Sequence, residues 1–258
     1  MEDNKQNDRL IKQVDSLFRR TYSPSYSWMD CLSAFGSIPG LRAFWPMSSV
    51  DYQGGAVDHS NLGKRLTITG GVTFSYTGLT QYAIFNGATG YFTRPDAAGM
   101  DILGNETFIA ASKRGMTVGG WFYFDGLGNA DACIAKDDNA AQRSFVISKS
   151  AGNVITFLVN GATTVGAGVA TAANWCFLVG RFTPSTEIAL FTNGVKEINV
   201  AAIPATITNS SAAFTIGSLA GGINFLAGRS TLCFYCAMSL ADSYVLSLYH
   251  ASRALFGK

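Results

Sequence analysis

From Leu41 onward the chain is cut into short β-branched or aromatic runs by glycine-bearing turn signals, and that pattern excludes most folds. The runs lie at 67–69, 72–76, 82–85, 116–124, 144–148, 154–159, 175–182, 187–192, 213–217 and 231–238. Gly-Gly, Thr-Gly and Asn-Gly pairs separate them. Asn160-Gly161 and Asn193-Gly194 suit two-residue hairpin turns, because Asn and Gly accept positive φ at low cost. Helical periodicity returns only near the end, at Leu240, Tyr244, Leu248 and Leu255. Short strands joined by turns, with almost no crossover helices between them, make the expected class all-β, an antiparallel sandwich or barrel.

Composition narrows the functions open to such a body. Only 14% of the 258 residues are charged, against 48% hydrophobic, which is the opposite of a disordered chain. A net charge of +2 supplies no basic field for phosphates, so nucleic acid is not an expected partner. No window reaches the roughly 18 uninterrupted apolar residues of a membrane span, and no membrane insertion is expected. The polar, mixed-charge start MEDNKQNDRLIK does not resemble a signal peptide, so general secretory export is not expected either.

Residues 1–40 differ in kind from the rest of the chain. Leu10, Ile11, Val14, Leu17 and Phe18 fall on one stripe of a helix, with Asn7 and Asp8 suited to its start and Arg19 and Arg20 to its end. A second short apolar segment runs from Trp28 to Phe35 and stops at Gly36. A helix this short needs a partner for its stripe. Either the body or another chain can supply it. The reading adopted is an anchoring arm, 1–40, attached to another chain, ahead of a body at 41–258.

Cys31, Cys133, Cys176, Cys233 and Cys236 are scattered and odd in number, which is no disulfide framework. Cys233-Phe-Tyr-Cys236 has metal-ligand spacing, but it sits in an apolar strand without a second pair or a nearby His. The expectation is reduced, buried thiols.

The order of several motifs resembles the laminin-G-like, or concanavalin A-like, jelly-roll domains. Leu41-Arg42-Ala43-Phe44-Trp45 and then Asp58-His59-Ser60-Asn61-Leu62-Gly63 look like the first strand and its loop. Phe85-Asn86-Gly87-Ala88-Thr89-Gly90-Tyr91-Phe92 is similar to the family's hairpin, and 116–123 to its central Trp strand. Cys133 to Lys136, Phe145 to Ser148, Trp175, Gly180, Phe182, 190–194, 214–217, Gly228 and Leu240-Ala241-Asp242 continue the order. The resemblance implies an antiparallel two-sheet jelly-roll sandwich with a short N-terminal helical arm. The opening 39–47 (PGLRAFWPM) and the closing 253–257 (RALFG) also resemble virion proteins of tailed bacteriophages that carry such a domain.

Hydrolases of this clan draw their carboxylates from an E-x-D-x-x-E strand, and neither Glu2, Glu106, Glu187 nor Glu197 begins one. Glu187 and Glu197 flank the Asn193-Gly194 turn, where solvated strand ends are expected. No nucleophile motif accompanies His59 or His250, so no enzymatic activity is expected. The resemblance allows Ca²⁺ at the sandwich edge. Asp137, Asp138 and Asn139 form the densest acidic cluster, with Asp58, Asp125 and Asp131 as contributors. Tyr91, Arg94 and Arg143 lie near turns, where binding loops sit, and are the ligand-binding candidates. Trp121, Trp175 and Phe182 are expected in the sandwich core.

The leading expectation is a non-enzymatic virion protein of a tailed phage, made in the host cytoplasm. Its arm would dock on other virion proteins, and its body would decorate the particle or bind a host-surface glycan. An exposed helix stripe favours a homo-oligomer or a docking partner. A carbohydrate-binding module of a bacterial surface protein and a divergent glycoside hydrolase are the alternatives.

Overall fold

A computed structural model describes residues 27–48, 54–77, 80–161 and 163–258. The stripe Leu10, Ile11, Val14, Leu17 and Phe18 lies outside the described residues. In chain order the elements are α1 (Trp28–Gly36), β1 (Leu41–Trp45), β2 (Thr67–Thr69), β3 (Thr73–Thr77), β4 (Thr80–Asn86) and β5 (Tyr91–Arg94). There follow β6 (Met116–Phe124), β7 (Asp131–Asp137), β8 (Arg143–Lys149), β9 (Val154–Val159) and β10 (Thr163–Val169). Then come β11 (Asn174–Thr183), β12 (Glu187–Thr192), β13 (Val195–Asn199), β14 (Phe214–Ile216), β15 (Ala227–Cys236) and α2 (Asp242–Ser252).

Two antiparallel sheets form a sandwich. The first runs β13-β12-β11-β6-β15-β4-β3, with β1 also on β15; the second runs β10-β9-β8-β7-β14-β5-β2. Asn193 and Gly194 have φ of 51° and 84°, so the β12–β13 hairpin closes as the Asn-Gly pair requires. Strand β15 changes partner midway, pairing β4 at residues 227–230 and β1 at 233–236. A bulge between Thr231 and Phe234 makes the exchange. Thr231 Oγ1 lies 2.7 Å from the carbonyl oxygens of Pro46 and Gln81, which ties both partners to the bulge.

Alternation along each strand sends one set of side chains between the sheets. Trp45, Phe85, Phe92, Phe122, Phe145, Phe157, Phe182, Phe214 and Tyr235 fill that space. Gly180 on β11 is there for clearance, because a Cβ would stand 2.5 Å from the ring of Phe157 on the facing sheet.

The outer face of the first sheet carries a second core, and here the structure departs from expectation. Trp121, Phe177, Val179, Phe191 and Phe234 point away from the sandwich interior and are roofed by α1, α2 and the terminal turn through Phe256. Trp121 therefore belongs to this second core; of the three expected sandwich residues only Phe182 lies between the sheets. Helix α1 starts at a capping box: Asp30 N donates to Ser27 Oγ at 3.2 Å, and Ser27 N donates to Asp30 Oδ2 at 2.8 Å. Its Cys31 and Phe35, four residues apart, are fully buried against the sheet. Residues 28–38 thus pack with the body rather than with an arm that ends at 40. Sequence alone could not choose, since a helix stripe does not name its partner.

All five cysteines are buried and free. Burial pushes the Cys233 and Cys236 thiols up to about 12, which leaves them inert as nucleophiles.

Candidate functional site

Among the described residues the roof lies over one part of the outer face, and the neighbouring part presents an aromatic ledge. Trp175 stands opposite Tyr123 in the β11–β6 register, Tyr123 opposite Arg229 across β6–β15, and Arg229 opposite Ile84 across β15–β4. Residues opposed in register share a face, so these four form one row. Tyr82, two residues before Ile84, joins it. The rings of Tyr123 and Tyr82 lie 5.5 Å and 5.6 Å from that of Trp175, both edge-on. The Arg229 guanidinium sits 4.2 Å from the Tyr123 centroid and 5.5 Å from that of Tyr82. Such cation–π contacts orient the guanidinium plane without consuming its N–H donors.

Trp175, Tyr123, Tyr82 and Arg229 are all half-buried. Asp125 flanks them, its Oδ1 3.8 Å from Arg229 Nη2. From the roof side Phe256 backs Trp175 at 5.0 Å, and Lys258 Nζ donates to Asn174 Oδ1 at 3.0 Å. The ledge therefore combines flat apolar rings with planar donors and an acceptor. That chemistry suits a saccharide, whose C–H faces stack on rings while its hydroxyls take hydrogen bonds.

The residues expected to bind a ligand do not form one site. Tyr91 is on the second sheet, its ring 5.9 Å from Phe225. Arg94 ends β5 and donates from Nη1 to the carbonyl of Arg65 at 3.0 Å. Arg143 is drawn to a metal candidate instead: its Nε donates to Asp137 Oδ2 at 3.0 Å, and the Asp137 side chain has no exposure.

The acidic cluster does not fit a calcium site. Asp137 Oδ1 accepts from Asn139 N at 2.5 Å, and Asp138 Oδ1 accepts from Ala140 N at 2.8 Å and Gln142 N at 2.9 Å. These carboxylates hold their own turn, and Arg143 already neutralises the buried one. Asp58 accepts from the backbone N–H groups of Phe44, Ser60 and Lys64. Asp131 pairs with the buried Lys149 at 2.9 Å. Among the described residues no group of three or more His, Cys, Asp or Glu is arranged to hold a metal.

Glu187 and Glu197 also part company. Glu197 stands opposite the inward-facing Leu190, whereas Glu187 is on the other face, ion-paired with Arg181 and Lys196. It is no solvated strand end. Arg181, 5% exposed, links it to α2 through Asp242 Oδ1 at 2.5 Å.

Comparison with known proteins places the fold. A family model, Laminin_G_3, described as the concanavalin A-like lectin/glucanases superfamily, matches residues 67–230. The chain belongs to this superfamily. Among solved structures, the Laminin_G_3 sandwich is similar to the binding domain of Paraclostridial Mosquitocidal Protein 1. The TM-score is 0.62 at 14% identity, over 83% of this chain and 52% of that one. It is also similar to domain 4 of an extracellular arabinanase from Geobacillus stearothermophilus, solved with arabinotriose. There the TM-score is 0.57 at 18% identity, over 81% of this chain and 98% of that one. A Trypanosoma rangeli sialidase matches at TM-score 0.60 and 13% identity, over 82% of this chain and 33% of that one. The chain spans about half the length of the mosquitocidal binding domain. No curated protein matches it by sequence. At these identities the likenesses concern the lectin-like sandwich itself.

Proposed function

We propose that this Laminin_G_3 chain is a non-enzymatic, glycan-binding structural protein of a tailed-phage virion. The observation that carries the binding role is the ledge of Tyr82, Tyr123, Trp175 and Arg229, the place where half-exposed rings and planar polar groups meet. Two of the similar structures are a toxin's binding domain and an arabinanase domain solved with arabinotriose, which supports binding by this sandwich. Retaining hydrolysis needs two carboxyl groups about 5 Å apart. Glu187 and Glu197 point to opposite faces, which supports binding without bond cleavage.

The virion role draws on the resemblance of 39–47 and 253–257 to phage particle proteins. In this reading residues 1–26 dock on neighbouring virion proteins, and copies of the sandwich stand outward toward the host surface. Glycan-array binding by the full chain should select a saccharide class, and Trp175→Ala should abolish that binding while the protein stays folded. A chain lacking residues 1–26 should still bind glycan yet be missing from purified particles by mass spectrometry. Binding that survives Trp175→Ala sinks the ledge, and normal incorporation of the truncated chain sinks the docking.

A further inference from the structure

A second constellation lies at one end of the second sheet, apart from the ledge. Arg65, Thr67, Arg94, Pro95, Asp96 and Ala97 line a cleft of about 270 Å³. Arg94 is fixed from one side: its Nη1 donates to the carbonyls of Arg65 at 3.0 Å and Gly63 at 3.4 Å. Its Nε is buried and has no acceptor, and Nη2 has none among the described residues either. Buried donors in proteins are nearly always paired. Nε–H and Nη2–H form one edge of the guanidinium, the edge that takes two oxygens of a carboxylate or phosphate side by side.

The surrounding charge agrees. Among the described residues that line the cleft the one carboxylate, Asp96, already pairs with the buried Lys136 at 2.8 Å, and Lys136 also pairs with Asp101 at 3.1 Å. Lys64 reaches into the adjoining loop, where a Cβ on Gly99 would collide with its Nζ. Lys64, Arg94 and Lys136 therefore outnumber Asp96 and Asp101. The cleft admits a single small anionic group. A net charge of +2 provides no track for a polyanion backbone.

We infer that this cleft binds one oxyanion, held in two-pronged fashion by Arg94 and flanked by Arg65, and that an acidic saccharide carries it. The oxyanion site stands on its own geometry; its assignment to a saccharide rests on the glycan-binding reading above. The carboxylate of a uronic acid and the phosphate of a sugar phosphate share the required chemistry.

The test is titration of the full-length protein with glucuronic acid, glucose 6-phosphate and glucose, followed by the backbone amide shifts of Arg94, Asp96 and Ala97. One or both acids should shift these amides and glucose should not; which acid binds names the source. Arg94→Gln should weaken binding by about tenfold or more, and Arg94→Lys, which keeps the charge and loses the fork, should fall between. Ala97→Glu places a competing carboxylate at the exposed rim without touching the Gly63 and Arg65 contacts, and should abolish binding in a folded protein. Absence of shifts with either acid overturns the inference. So does binding that Arg94→Gln and Ala97→Glu leave unchanged. Trp175→Ala should not affect these titrations, so a failed ledge with an intact oxyanion site would be seen as such.

Discussion

Trp121 and Trp175 stand one row apart on neighbouring strands of the same sheet face, yet one is fully buried and the other only partly covered. Trp121 is fully buried, stacked 4.2 Å from Phe256, with its Nε1 donating to Ser252 Oγ at 2.9 Å. Trp175 touches the same Phe256 from the far side and is half-exposed beyond it. The helical roof ends between them. A β-strand can decide only which face a side chain takes; what covers that face decides whether the side chain stabilises the fold or is free to bind.

That contrast can be broken experimentally, and the largest effect should come from beneath the roof. Trp121→Ala should cost about 3–5 kcal/mol in urea denaturation, because it removes a buried indole and the hydrogen bond its Nε1 donates to Ser252. A loss below about 1 kcal/mol would mean the helices are not a core layer. Next comes the tether of the roof. Arg181→Met should cost about 2 kcal/mol, less than a fully buried pair, since Asp242 is 49% exposed and Lys196 can still pair with both carboxylates. Trp175→Ala should cost no more than about 1–2 kcal/mol while removing glycan binding, which is the reverse of the Trp121 profile.

The tether also responds to pH. Burial alone would raise the Asp242 carboxyl, but hydrogen bonds and charges from Arg181 and Lys196 outweigh it, so its folded value lies below the ordinary 3.8. Its stabilisation is therefore complete above that value and is lost as pH falls through the folded one. Acid unfolding of Asp242→Asn should show a flatter dependence in that window than the parent, whereas Trp175→Ala should match the parent's slope. The smallest effect belongs to Asp125→Asn. The exposed 3.8 Å pair with Arg229 should contribute less than about 0.5 kcal/mol, and the change should read out mainly as weaker saccharide binding.

Much of the sandwich was legible in the sequence because strands that pack between sheets carry β-branched and aromatic residues at period two. The hairpin at Asn193-Gly194 was legible for a local reason, since both residues accept positive φ. Strands β10 and β13 were not. Thr163–Val169 carries two glycines, and Val195–Asn199 sets a Lys-Glu pair between two apolar residues on a mostly exposed edge, so neither presents a buried stripe. The ledge escaped for a different reason. Trp175 and Tyr123 sit near strand ends with the same parity as core residues Phe177 and Trp121. Nothing local marks where cover stops. Asp137 and Arg143 illustrate the same limit, as a metal candidate and a ligand candidate neutralised each other across a β-hairpin.

Backbone preference and side-chain period, properties of a few neighbouring residues, sufficed for the all-β class, the turns and the period-two alternation of the strands. The assembled fold was needed to pack α1 on the body, to bury Trp121 fully while covering Trp175 only in part, and to leave one guanidinium edge of Arg94 without an acceptor among the described residues. Those outcomes depend on which distant segments exclude water from a given side chain, and desolvation is set by the assembled fold rather than by adjacent letters in the chain.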